Sequence, residues 1–289
     1  MDTVWGRKSD EVISKTPMSK IRKVRSMGKF SKYLNRANSP MPEDHKALLQ
    51  KGEEMQAAQM LDRRKVNALL DEGYLDGENG YKRQEDGSTY VAVLTQMPKV
   101  SVNMIDWWFW WHAAEGVRYQ IWYPEMHFDI DSDFGGYYED ESKTYRERLH
   151  LSSHLVTEDV GIGKDKILID FMSPANFGFD ETRLDPKIET IICARVGSPE
   201  RGVWGTEMCH YVRVKETGVE MRSRFWIGHE VKRMGGIAQG FLNSILNTGF
   251  VKRKLLPKEL GRSMFHHCSQ EYHNLADILP ELYREEHTS

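Results

Sequence analysis

Hydrophobic positions along the chain change their period several times, and each change marks an element. Over residues 42–72, Leu48, Leu49, Met55, Met60 and Leu61 recur at helical intervals behind Pro42, Glu43 and Asp44, whose chemistry suits a helix start. A helical region is predicted there. Residues 73–87 are dense in Gly, Asp, Glu and Asn and break the pattern. Residues 89–95 (TYVAVLT) are β-branched and apolar, which predicts a strand. From Asn103 the run IDWWFWWHAAEG predicts a helix closed by Gly116. Further strands are expected at 119–122, 152–160, 167–172, 190–196, 207–214 and 219–227, the last two joined by a hairpin turn at Glu216, Thr217 and Gly218. After Gly235 and Gly236 the helical period returns, breaks near Pro257, and runs from Gly261 to about Leu282. Successive strands followed by a helix, without β-α-β alternation, predict an α+β fold with a largely antiparallel sheet.

Composition narrows the class. A chain of 289 residues with 39% hydrophobic content can bury a core large enough to hold a pocket. Residues 1–85 read as a basic, polar arm followed by the helical region, and residues 86–289 as the main domain. The net charge of -3 gives no general attraction to nucleic acid or to an anionic membrane. Basic clusters at 20–32 and 252–254 read as solvated charge. Cys193, Cys209 and Cys268 form no CxxC pair, which excludes a cysteine-based zinc site, and their scatter suits a reducing compartment. Residues 1–20 carry no apolar signal-peptide core, and the apolar stretch at 105–111 is far shorter than the ~20 residues of a membrane span. A cytoplasmic protein is expected.

Several residues could carry chemistry. In FHHCSQEYHN, His267 and Glu271 are four apart on a predicted helix, hence on one face, and imidazole with carboxylate suits zinc; a surface ion pair is the plainer alternative. His127 follows an apolar run and could face a pocket or simply be a hydrogen-bonded loop residue. Glu158 shares a strand face with Val156 and His154, so it needs a partner, either a metal or an arginine. His150 and His154 have zinc-like spacing, but HLSSHLVTEDV reads as a strand, where such positions lie roughly 13 Å apart. His210 could be a general base or a packed core-edge histidine. Trp107, Trp108, Phe109, Trp110 and Trp111 would cover every side of a helix and so should be mostly buried, as core, as a dimer contact or as the wall of an aromatic-substrate pocket.

Three separated segments, NMIDWWFWWHAAEGVRYQIW at 103–122, VTEDVGIG at 156–163 and HCSQEYHNLADILPELY at 267–283, resemble the phloretin hydrolase and 2,4-diacetylphloroglucinol hydrolase family. The similarity covers roughly the last two hundred residues. It implies a Bet v 1-like helix-grip domain, in which a curved antiparallel sheet holds a long C-terminal helix. It also implies an N-terminal portion that contributes to a homodimer. One zinc ion per chain is implied, held by positions matching His127, Glu158, His267 and Glu271, with His210 and Tyr119 lining the active site. The implied substrate is a small aromatic polyketide or a dihydrochalcone. The reaction would be a retro-Claisen cleavage in which zinc polarises an oxygen of the substrate and water attacks the acyl carbonyl. Where the diacetylphloroglucinol-type pattern carries an asparagine and a tyrosine, this chain has Ile130 and Phe225, which turns the expectation toward a phloretin-like or broader aryl-ketone substrate. Two other readings stay open: a non-catalytic binder of hydrophobic ligands, and a zinc-dependent polyketide lyase or cyclase.

Overall fold

The computed structural model describes residues 28–235 and 239–288; the expectations for residues 1–27 and for Gly236 lie outside them. Eight strands form one sheet: β1 Gly80–Arg83, β2 Thr89–Pro98, β3 His127–Asp133, β4 Ser153–Asp159, β5 Lys164–Met172, β6 Glu189–Ser198, β7 Val203–Lys215 and β8 Gly218–Arg233. Their spatial order is β1-β2-β8-β7-β6-β5-β4-β3, and every neighbouring pair is antiparallel. A helix at Leu260–Thr288 closes the chain. This is an α+β, helix-grip arrangement, as expected.

The sheet is covered on both faces, and the side-chain period of two sorts each strand between two cores. Val91, Val93, Ile192, Ala194, Met208, Val212, Met221 and Phe225 face the C-terminal helix, which presents Phe265, Cys268, Tyr272, Leu275, Leu279 and Leu282 at spacings of three and four. Tyr90, Ala92, Ile191, Cys193, Cys209, Tyr211 and Trp226 face the other way, under Met55, Leu61, Val66, Leu69, Phe177 and Phe179. Burial on both faces explains why the central strands read as continuous apolar runs.

Several expectations are corrected. Tyr119 belongs to a short helix, Gly116–Gln120, and not to a strand at 119–122. A short apolar run cannot be assigned by period alone, and here the run follows directly on the turns that end the aromatic helix. That helix, Val102–Trp111, starts at Ser101, whose hydroxyl accepts from the Met104 amide, and gives way to a 3₁₀ turn at His112–Ala114 before Gly116. Of the helical region at 42–72, only Glu43–Lys51 is α-helical, and 3₁₀ turns follow at Ala57–Gln59 and Arg63–Leu70. Strand β3 was not predicted, because its outward residues Asp129, Asp131 and Asp133 disguise the alternation. Strand β1 lies within the Gly-, Asp- and Glu-rich stretch at 73–87 that the sequence marks as a boundary. It pairs with β2 across the turn at 84–88, so residues on both sides of position 85 share one sheet.

Candidate metal centre

His127 and Glu158 are partners across strands. His127 opens β3 and sits directly opposite Glu158 of β4 in the antiparallel register, and a bulge follows between His127 and Asp129. On β4, His154, Val156 and Glu158 point to the same face by the strand period. The C-terminal helix brings His267 and Glu271 to the same spot, one turn apart. The result is a buried group of metal-ligand type, His127, His267 and Glu271, whose candidate donor atoms all lie within 4.8 Å of one another. His127 Nε2 is 3.3 Å from His267 Nε2, 3.5 Å from Glu271 Oε2 and 3.9 Å from Glu158 Oε2, while His267 Nε2 is 3.7 Å from Glu271 Oε2. Glu158 is the outlying member: its carboxylate accepts a hydrogen bond from the Tyr119 hydroxyl.

The electrostatics suit a cation. Burial drives the His127 imidazole well below its usual range, reinforced by His267, and holds His267 at about 4, so both rings are neutral near pH 7. His127 Nδ1 lies 3.3 Å from the Tyr119 carbonyl and donates to it, which leaves Nε2 as a bare lone pair aimed at the cluster. Burial raises Glu158 to about 7, with the Tyr119 hydrogen bond pulling the other way. Burial and the nearby Glu158 raise Glu271 well above the carboxylate range. Two imidazole nitrogens and two carboxyl groups crowd one buried spot with no positive side chain among them. A divalent ion resolves that arrangement, and nitrogen with carboxylate oxygen is a donor set zinc accepts.

The surroundings hold the donors in place. Tyr119 stacks on His127 with ring centroids 4.2 Å apart and planes within 2°, and Trp122 meets the same imidazole edge-on. Trp122 Nε1 donates to the Glu271 carbonyl at 3.1 Å, and Asn274 Nδ2 donates to the Trp122 carbonyl at 2.6 Å, tying this loop to the helix. Asp159 gathers the amides of Gly161, Ile162 and Gly163 on one carboxylate oxygen at 2.7, 3.1 and 2.9 Å, and its own amide donates to Met126. Sequence reasoning missed Trp122, Asn274 and Asp159 as support for the site. Of these, only Asp159 left a readable signal, an acidic residue two positions before Gly161 in a turn.

His210 stands on β7 facing the C-terminal helix. Its Nδ1 is 2.8 Å from Ser223 Oγ and its Nε2 is 3.0 Å from the Tyr272 hydroxyl, and burial lowers it to about 3. Phe225 packs on it with ring centroids 5.6 Å apart. Ile130 is buried opposite Val156 on β3. His150 ends the short helix Tyr145–Leu149 while His154 lies on β4, so that rival pair does not share one helix face.

Fold and site together define a helix-grip α+β protein with a buried histidine–carboxylate centre. Residues 61–284 match the family described as DAPG hydrolase PhiG domain, and the chain belongs to that family. It is 31% identical to phloretin hydrolase of Eubacterium ramulus over 261 residues, covering 89% of this chain and 90% of that one. It is 29% identical to 2,4-diacetylphloroglucinol hydrolase of Pseudomonas protegens over 227 residues, covering 76% of this chain and 72% of that one. Among solved structures, Ara h 8.0201 superposes with a TM-score of 0.38 at 8% identity, over 67% of this chain and 98% of that one.

Proposed function

We propose that this protein is a zinc-dependent hydrolase that cleaves the carbon–carbon bond between an acyl group and a phloroglucinol ring, releasing phloroglucinol and a carboxylic acid. The observation that carries the reading is the convergence of His127, His267 and Glu271, with Glu158 beside them, in a chain whose relatives hydrolyse phloretin and diacetylphloroglucinol. These four residues would hold the metal, and zinc bound there supplies a Lewis acid for a substrate oxygen.

The chain's own groups serve the remaining needs of a retro-Claisen cleavage. Tyr119 is neutral, because burial and the Glu158 charge raise its hydroxyl well above the usual range, and with the Glu158 carboxylate taken up by the metal the Tyr119 proton can turn to a ring oxygen or to the developing oxyanion. His210 is neutral as well. The pairing that satisfies its neighbours has Nδ1–H donating to Ser223 and the Tyr272 hydroxyl donating to Nε2, which makes Nε2 the basic nitrogen. The attacking water gives a proton to the Tyr272 oxygen as that hydroxyl passes its own proton to His210 Nε2, the oxygen of that water joins the acyl carbon, and the bond from acyl carbon to ring carbon breaks. The electron pair stays on the ring as an enolate, and the proton taken up by His210 returns through Tyr272 to the ring carbon in place of the acyl group.

Zinc should be present at one per chain and required for turnover. His267→Ala and Glu271→Ala should strip metal and activity together while the fold is kept, read by metal analysis, circular dichroism and phloroglucinol released from phloretin, monoacetylphloroglucinol and diacetylphloroglucinol. Full metal content with normal turnover in those variants would overturn the assignment.

A further inference from the structure

Beside the candidate metal centre lies a second pair of buried histidines, His112 and His154, with rings 5.8 Å apart and nearly perpendicular. They are 2% and 1% exposed. His112 follows the aromatic helix, and its ring faces Tyr119 at 6.0 Å between centroids. His154 stands on β4, on the face that also carries Glu158. The pair therefore lies next to Tyr119, whose hydroxyl bonds Glu158.

The hydrogen bonds of these rings fix their tautomers. His112 Nδ1 lies 2.7 Å from the Trp108 carbonyl, an acceptor only, so the proton is on Nδ1 and Nε2 is a bare lone pair. Ser152 gives its one hydroxyl proton to the Leu149 carbonyl at 2.8 Å. His154 Nε2, 3.2 Å from the same Ser152 oxygen, must then be the donor, which leaves Nδ1 as the bare lone pair. Each imidazole thus spends its single proton on the protein. Among the described residues, no protein donor reaches His112 Nε2 or His154 Nδ1. Burial keeps both rings neutral, His112 at about 4 and His154 well below its usual range, so neither can act as a cation. Both acceptors lack a donor on side chains that are almost wholly buried.

We infer that His112 Nε2 and His154 Nδ1 form an acceptor pair that receives ring hydroxyls of the bound phenol, and that this pair makes the site selective for a polyhydroxylated ring. The inference rests on the hydrolase reading for the identity of the ligand and deepens it by naming the group that counts hydroxyls. One hydroxyl of a phloroglucinol ring meets the metal side of the site, and the other two fill the pair.

The test is binding of the bare rings, which separates recognition from cleavage. Phloroglucinol and resorcinol are titrated calorimetrically into the zinc-loaded full chain. Resorcinol lacks one hydroxyl and leaves one acceptor empty, so wild type should bind phloroglucinol at least about tenfold tighter. His112→Phe and His154→Phe keep an aromatic ring in place and delete one acceptor each. In either variant the ratio should fall toward one, with zinc content and the near-ultraviolet dichroism of the aromatic core unchanged. His112→Gln, which retains an acceptor oxygen, should keep part of the ratio. The variants are judged separately, so a folding failure in one leaves the other decisive. A wild type that binds both rings equally or binds neither, or folded variants that keep the wild-type ratio, would overturn the inference. If wild type shows the ratio, the variants lose it, and no acylphloroglucinol is cleaved, the hydrolase reading falls and the acceptor pair stands.

Discussion

His210 and the four candidate ligands are all histidines or carboxylates in one buried region, yet their hydrogen-bond partners differ. His127, His267 and Glu271 bring their donor atoms within 4.8 Å of one another, whereas His210 is occupied on both ring nitrogens by Ser223 and Tyr272. His210→Ala should therefore lower kcat by roughly 100-fold or more, the range of a lost acid–base group, while zinc stays bound. Loss of zinc in that variant would place His210 among the ligands, and near-full activity would leave it a packed histidine. Phe225 argues at the same scale. It packs on His210 and offers no hydrogen bond, so a second acetyl carbonyl buried against it would cost about 1–3 kcal/mol. The phenyl arm of phloretin would instead gain from apolar contact. Phloretin should be cleaved at least as efficiently as diacetylphloroglucinol by kcat/KM, and Phe225→Tyr should move the ratio toward the diacetyl compound. A wild-type preference of tenfold or more for the diacetyl compound would remove Ile130 and Phe225 as selectivity positions.

Elements differ in how much of them the sequence displays. The C-terminal helix and strands β2 and β4 to β8 were legible because period and β-branched content agreed along their length. The centre was legible only in pieces. His267 and Glu271 share a helix face, which spacing alone reveals, but the pairing of His127 with Glu158 depends on a strand register between β3 and β4, and β3 itself was hidden by its acidic outer face. Tyr119 was found as a residue and misplaced as an element. Asp159 is the clearest case of an element-level support: its carboxylate fixes the turn after β4 through three amides, and its amide holds Met126, the residue before His127. Asp159→Ala should cost about 1–3 kcal/mol of stability through those unmet donors. It should also weaken zinc retention about 10- to 100-fold, as loss of a ligand's support does, though Asp159 belongs to no part of the metal cluster. Unchanged zinc affinity in a competitive chelator titration would show that the turn does not position the ligands.

Across the whole molecule, the sheet couples the centre to the segment that covers its opposite face. Strand β8 alternates between the two: Ser223 and Phe225 support His210 on the helix side, while Arg222 and Arg224 point under the preceding segment and are held by Glu78 at 2.6 and 2.7 Å. Arg222 also donates to the Leu69 carbonyl at 2.7 Å, and Trp226 Nε1 donates to the Leu61 carbonyl at 2.8 Å, so residues 61–78 are fastened to the strand that carries Ser223 and Phe225 on its other face. Burial alone would raise the Glu78 carboxyl, but the hydrogen bonds and charge of Arg222 and Arg224 outweigh it and hold the group at about 2, against 4.5 for a free glutamate. A folded-state value below the unfolded one stabilises the fold above about 4.5, and that contribution is lost as pH falls toward 2. Glu78→Gln leaves two buried guanidinium groups without their carboxylate and should destabilise by about 3–5 kcal/mol. Its stability should also lose the wild-type decline between pH 4.5 and 2 that Glu78 supplies, as read from urea unfolding at several pH values. The same variant, assayed folded near neutral pH, should show lowered turnover with zinc retained, because slack in β8 reaches Ser223 and the imidazole it orients. Equal acid sensitivity in variant and wild type would mean that Glu78 is not the titrating anchor.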